Sequence, residues 1–350
     1  MATLETQKLD SIIASRRSIL MGAGALAATA LVGGTEKAAA AVPATLTDTQ
    51  ILNFALNLEY LEAQFYTIAT EGVTADKSTQ GSKIALPSGS GAVTFRSGAK
   101  VTFTNPAVAA YAFETALEER KHVLFLQTAL GSGAVAQPAI NLQTSFSYLG
   151  GLLSVPTFDP FTTDLFFLLG AYIFEDVGVT AYHGGALSIT NKGASGQTAD
   201  YLTPAVGIHA VEAYHAGLVR TSIALFDAGL LTLSAADQAY KGQGSALTKA
   251  ISNLRATLDG TIGQAPAAND AVGLTGQDDF GVDTYQVPLN GTGGTASRIL
   301  NQGKTTSPFY NNFVAFKRTP QQVLNIVYGS ASGNFSANSF FTAGLNGDIK

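Results

Sequence analysis

Glu119-Arg120-Lys121-His122 lies inside a long helix-favouring stretch, and Glu212-Ala213-Tyr214-His215 repeats its spacing in a second one. A three-residue step on an α-helix puts both side chains on one face, about 5–6 Å apart at Cβ. A carboxylate and an imidazole so placed can grip one transition metal together. Two such helices, joined by two more that each bring a single glutamate, build a di-metal carboxylate centre inside a four-helix bundle. The chain holds 37 glycines but only four histidines, and two of those four follow a glutamate by three residues. Random placement gives roughly 0.1 such motif in a chain of this composition, so the repeat asks for a physical explanation.

The surrounding sequence supplies the helices. Thr47-Asp48-Thr49-Gln50 has the form of a capping box, in which side chains satisfy the free backbone groups of a helix start. It opens a helix expected over 48–71 that stops at Gly72. Ile51, Leu52, Phe54, Leu56, Leu58, Leu61 and Phe65 make this helix apolar on most sides, the mark of deep burial. Asn105-Pro106 starts a second helix running through Leu130, with proline where its missing N–H is harmless. A third is expected over about 161–187, after Asp159-Pro160, and its Leu165–Phe174 stretch carries no charge. The fourth has Pro204 in its first turns and ends near Gly229; a weaker fifth is expected over 245–258. Between the first two helices, residues 72–104 turn to Gly, Ser and Thr. There the runs Ala92–Phe95 and Lys100–Phe103, on either side of Ser97-Gly98, read as an inserted β-hairpin. The organisation is therefore a bundle over 46–260 and a Gly/Asn/Ser/Thr-rich extension over 261–350, with one short helix over 319–328 behind Thr319-Pro320. The fold class is all-α.

The two remaining glutamates must come from the helices without a Glu-x-x-His motif. The first offers Glu59 or Glu62, and the third offers Glu175. Tyr66 follows Glu59 by seven residues, and Tyr182 follows Glu175 by the same step. Seven residues is almost two turns, so each pair shares a helix face. The bundle thus reads as two related helix pairs, and the matching step favours Glu59 over Glu62. The metal ligands expected are Glu59, Glu119, His122, Glu175, Glu212 and His215, with Glu62, Tyr66, Tyr182 and His209 around them. Glu118, one turn before His122, could orient that histidine. His183, at the tail of the third helix, is explained by favourable placement at a helix C-terminus. Ionised carboxylates among apolar helices are costly unless paired or coordinated. Arg120, Lys121 and Arg220 are the few helical cations that could pair with them instead.

Composition sets bounds. The chain is 46% hydrophobic and only 13% charged, with a net charge of -5 and no basic tract, which speaks against a nucleic-acid partner. It has no cysteine, which excludes thiolate metal sites, iron–sulfur ligation and disulfides. At the N-terminus, Ser15-Arg16-Arg17-Ser18-Ile19-Leu20 has a twin-arginine pattern, followed by an apolar stretch to Val32 and the small-residue run Ala38–Ala41. That order matches an export signal over 1–41, built around Arg16 and Arg17 and cleaved near Ala40 or Ala41. The apolar stretch is shorter than the about 20 residues a spanning helix needs, so no permanent membrane anchor is expected after cleavage, and a periplasmic or extracellular location follows.

The stretch Ile51-Leu52-Asn53-Phe54-Ala55-Leu56-Asn57-Leu58-Glu59-Tyr60-Leu61-Glu62-Ala63-Gln64-Phe65-Tyr66 resembles the first helix of exported ferritin-like proteins related to the desiccation-related proteins. Phe316-Lys317-Arg318-Thr319-Pro320-Gln321-Gln322-Val323-Leu324-Asn325-Ile326-Val327-Tyr328 and Gly344-Leu345-Asn346-Gly347 are similar to that family's tail. The resemblance implies a ferritin-like four-helix bundle holding two iron or two manganese ions on the six ligands above. It does not imply a defined reaction, and it suggests a role in stress protection only by association of fold and name; the chemistry expected of such a ligand set is redox chemistry with dioxygen or peroxide, of ferroxidase or catalase-like type. It does not imply a storage cage, and it leaves homo-oligomerisation open. The other reading is a non-catalytic envelope or desiccation-stress protein that uses the bundle as a scaffold.

Overall fold

The computed structural model describes residues 37–38, 41–193, 199–260, 282–289, 292–298 and 317–350. The expected export signal with Arg16 and Arg17 lies outside the described residues except for its last few positions, as do residues 261–281 and 299–316 of the extension. Seven α-helices are described: α1 Asp48–Glu71, α2 Pro106–Leu130, α3 Thr144–Leu152, α4 Asp164–Ala186, α5 Leu202–Asp227, α6 Gly244–Leu258 and α7 Pro320–Tyr328. α1 packs along α2, and α4 along α5, and the two pairs close into the expected bundle.

The starts and stops follow local chemistry. Thr47 accepts a hydrogen bond from the Gln50 N–H, while the Gln50 side chain accepts from the Thr47 N–H, closing the capping box. Gly72, at φ 76°, ends α1 in a left-handed turn that a side chain would strain. Asn105 caps α2 by accepting from the Ala107 and Val108 N–H groups. α4 begins three residues later than the sequence suggests, because Thr163, not Asp159, accepts from the Phe166 N–H. The buried Asp164 carboxylate then takes the Thr104 and Asn105 N–H groups at 3.0 and 3.1 Å, locking the start of α4 to the start of α2.

α1 is buried on every side, as its composition requires: Leu56, Tyr60, Ala63, Phe65, Tyr66 and Ile68 are all fully enclosed. The cover comes partly from the C-terminal segment. Asn57 on α1 and Asn346 exchange hydrogen bonds at 2.9 and 3.0 Å. Phe340 packs edge-on against Phe146 of α3 and Phe174 of α4, with ring centroids 5.2 and 5.0 Å away. α4 is long and apolar enough to cross a membrane. It is enclosed within this fold, however, and is a core helix of the bundle.

One expectation is corrected. The runs 92–95 and 100–103 do not form a hairpin. Val93–Thr94 (β1) pairs in parallel with Ile140–Asn141 (β2) instead. The second run is engaged elsewhere, its Val101 N–H donating to the Ala69 carbonyl at the end of α1, while the Arg96 guanidinium donates to the Ser97, Gly98 and Phe161 carbonyls. The Gly/Pro-rich connection before α4 contains α3, started by Asn141, whose side chain accepts from the Gln143 and Thr144 N–H groups. In the extension, Asp283–Leu289 (β3) and Thr292–Arg298 (β4) form an antiparallel pair.

Candidate metal centre

The bundle brings six distant residues into one cluster. Glu59 comes from α1, Glu119 and His122 from α2, Glu175 from α4, and Glu212 and His215 from α5. Glu59, Glu119, Glu212 and His215 are fully enclosed, Glu175 nearly so, and His122 is 8% exposed. His122 Nδ1 lies 3.2 Å from Glu59, 3.3 Å from Glu119 and 3.9 Å from Glu212. His215 Nδ1 lies 3.0 Å from Glu119 and 3.3 Å from Glu175. Three overlapping sets of donor atoms result, each drawn together within 4.8 Å: Glu59, Glu119, His122 and Glu212; Glu119, Glu175 and His215; and Glu62, Glu175 and Glu212. Glu119, Glu175 and Glu212 each belong to two sets, and Glu119 lies between the two histidines.

The donors fit a metal. Both Glu212 oxygens are buried with no hydrogen-bond partner, and Glu119 Oε1 and Glu175 Oε2 have only the His215 Nδ1 contacts at 3.0 and 3.3 Å. Each unpartnered oxygen costs about 1–3 kcal/mol or more when charged, and here all of these donors converge on one another. Gly178 of α4 explains how Glu212 reaches this position: a Cβ there would stand 2.1 Å from Glu212 Oε2. The four carboxylates of Glu59, Glu119, Glu175 and Glu212 also match the charge of two divalent cations. Oxygen-rich donors with two imidazoles suit iron or manganese.

The cluster's electrostatics record the same crowding. Burial raises the Glu59 carboxyl to about 7, with the nearby Glu119 adding to the rise. Burial, then Glu119, Glu175 and Glu59, hold Glu62 well above the usual carboxylate range. Glu212 is raised by burial and by Glu62, Glu119 and Glu175. Glu119 goes the other way: burial opposes its ionisation, but His122 and His215 hold it below the ordinary range. His122 is raised to about 12 by Glu59 and Glu119 against the effect of burial.

The tyrosines act across the helix pairs rather than along them. Tyr66 of α1 donates to Glu175 of α4, and Tyr182 of α4 donates to Glu59 of α1. Each Glu-x6-Tyr helix therefore fixes the other's glutamate. Glu62 joins the third donor set rather than replacing Glu59 beside His122. His209 is not brought into any donor set; its ring lies against His183. Glu118 orients His215 on the neighbouring helix, at 2.8 Å from Nε2, and not His122. Tyr214 also donates to Glu118, and Tyr111 meets the Tyr66 hydroxyl at 3.0 Å. Sequence reasoning missed Tyr111 and Tyr214. The signal for Tyr111 was its place two turns before Glu119 on the same face of α2.

The fold and this cluster define a ferritin-like protein. Residues 47–225, just over half of the chain, match the ferritin-like domain family, and the chain belongs to it. Among curated proteins it is similar to the ferritin-like catalase Nec2 of Nesocodon mauritianus, at 24% identity over 312 residues that cover 86% of this chain and 84% of the relative. No solved structure matches the chain.

Proposed function

We propose that the cluster holds two iron or two manganese ions and disproportionates hydrogen peroxide. The observation that carries the proposal is the set of buried donor atoms on Glu119, Glu175, Glu212 and His215, both Glu212 oxygens among them unpartnered, which bound cations would satisfy together. Glu59 and His122 would hold one ion, Glu175 and His215 the other, with Glu119 and Glu212 shared. The relative's name, a ferritin-like catalase, supports peroxide as substrate.

The bound ions would supply reversible two-electron chemistry. One peroxide takes up two electrons and two protons and leaves as two waters; a second gives up two electrons and two protons and leaves as dioxygen. The protein positions and protects. Tyr66 and Tyr182 hold the outer oxygens of Glu175 and Glu59, so their inner oxygens face the cluster. Glu118 accepts from His215 Nε2, which leaves Nδ1 as the ligating atom. Glu62 adjoins the donors, and burial raises its carboxyl well above the usual carboxylate range, which suits it to hold a proton and return it. Two small apolar cavities, of about 20 and 40 Å3, are both lined by Leu58, Glu62 and Gly178 beside the cluster, and each has room for a molecule of about water size.

We also propose that residues 1–41 direct export by the twin-arginine route, which accepts folded, metal-loaded proteins. The function is tested by oxygen release from peroxide with iron- or manganese-loaded protein. Release that disappears in both His122→Ala and His215→Ala supports the reading; metal-loaded protein that releases no oxygen overturns it.

A further inference from the structure

The chain's four histidines form two pairs, and the second pair lies outside the dinuclear cluster. His183 of α4 and His209 of α5 face each other with ring centroids 5.8 Å apart and planes inclined by 40°. The rings are half-buried, and the Nδ1 atom of each is buried with no hydrogen-bond partner. Two unsatisfied ring nitrogens sit on facing helices, and nothing among the described residues completes them. The Val179 carbonyl lies against the His209 ring, and the ring's Nδ1 has no partner. A backbone carbonyl on one ring nitrogen fixes the other as a lone-pair donor, the usual arrangement behind a metal-bound histidine. Burial, and then His183, lower the pKa of His209, which favours the neutral ring that ligation needs.

The separation has the right size. With metal–nitrogen bonds of about 2.0–2.1 Å, two imidazoles sharing one ion place their centroids about 5–6 Å apart. Among the described residues no aspartate or glutamate joins the pair in a donor set, so the site differs in kind from the carboxylate-rich centre. We propose that His183 and His209 hold one borderline transition ion of the zinc and copper class through their Nδ1 atoms, with solvent completing the shell. Imidazole without carboxylate selects that class over iron, manganese or magnesium. The site does not depend on the catalase reading of the centre.

The test uses full-length protein labelled with 15N-histidine, with Zn2+ as the probe. His183→Gln and His209→Gln assign the two signals and supply variants for competition against a chromophoric zinc chelator. The expected result is that the Nδ1 signals of His183 and His209 move together, saturating at one equivalent beyond those taken up by the dinuclear cluster. Each variant is expected to lose at least tenfold in zinc affinity for that equivalent. Signals of His183 and His209 that stay in place while zinc binds elsewhere would overturn the proposal, as would folded variants that compete like the parent. Should either variant fail to fold, the paired shift in the parent protein, assigned from the surviving variant, decides alone.

Discussion

Gly178 offers the sharpest perturbation of the centre. A methyl group at that position would stand 2.1 Å from Glu212 Oε2 and 2.8 Å from its Cδ. Restoring ordinary contact at about 3.4 Å needs the carboxylate to retreat by about 1.3 Å. Without metal this retreat is cheap, because the carboxylate is the end of a flexible side chain, and alanine favours a helix over glycine by about 1 kcal/mol. With metal it is not, since metal–oxygen bonds of about 2.0–2.2 Å tolerate a displacement of only about 0.2 Å. Gly178→Ala is therefore expected to leave the melting temperature of the metal-free protein unchanged or raised, and to weaken metal binding about 10- to 100-fold. Anaerobic calorimetric titration with Fe2+ or Mn2+, beside thermal melts of metal-free protein, reads both. Two ions bound at parental affinity would refute the placement of Glu212 against α4 as a ligand.

Removing the shared carboxylates should separate stability from metal even more plainly. Glu119→Gln with Glu212→Gln is expected to abolish stoichiometric metal by elemental analysis; Glu212→Gln alone should leave metal-free stability within about 1 kcal/mol in urea melts, because neither Glu212 oxygen has a hydrogen-bond partner, whereas Glu119 pairs with His122 and His215. Tyr66→Phe and Tyr182→Phe should each weaken binding about 10-fold, at opposite ions, by freeing Glu175 and Glu59 respectively; titration of the two single variants reads the asymmetry. The metal-free protein should also lose stability as pH rises. Glu59 is raised from 4.5 to about 7 in the fold, so its contribution is complete below pH 4.5 and is lost as pH climbs through 7. Melts at pH 5 and 8 should show this loss in metal-free protein and a much smaller one when metal replaces the protons. Asn105→Ala, which strips the α2 cap, should cost about 1 kcal/mol by chemical denaturation whether or not metal is present.

The bundle was legible because its helices carry their own punctuation. Thr47-x-x-Gln50, Gly72 and Asn105-Pro106 act within a few residues of themselves, and α1 and α2 end where those signals say. The six-residue cluster was legible for a related reason, since helical spacing converts sequence order into a shared face. Pairings between distant segments were not. Whether Val101 bonds to a neighbouring strand or to the Ala69 carbonyl depends on where the end of α1 lies in space, and the spacing of 92–103 holds no trace of that. The crossed tyrosines are the same case: the seven-residue step places Tyr66 and Glu59 on one face, but only the packing of α1 on α4 decides that Tyr66 serves Glu175. His209 is three residues from Glu212 in sequence, yet its ring meets His183, because α4 supplies a partner at that level of the bundle.

Anomalous X-ray scattering at the iron and manganese edges, from crystals of protein purified with its metals in place, tests the central claim most directly. Two peaks about 3.5–4 Å apart, lying between Glu119 and Glu212 with one beside His122 and the other beside His215, are the result this account requires. A cluster without metal density in such crystals, its carboxylates paired with Arg120, Arg220 or each other, would contradict it.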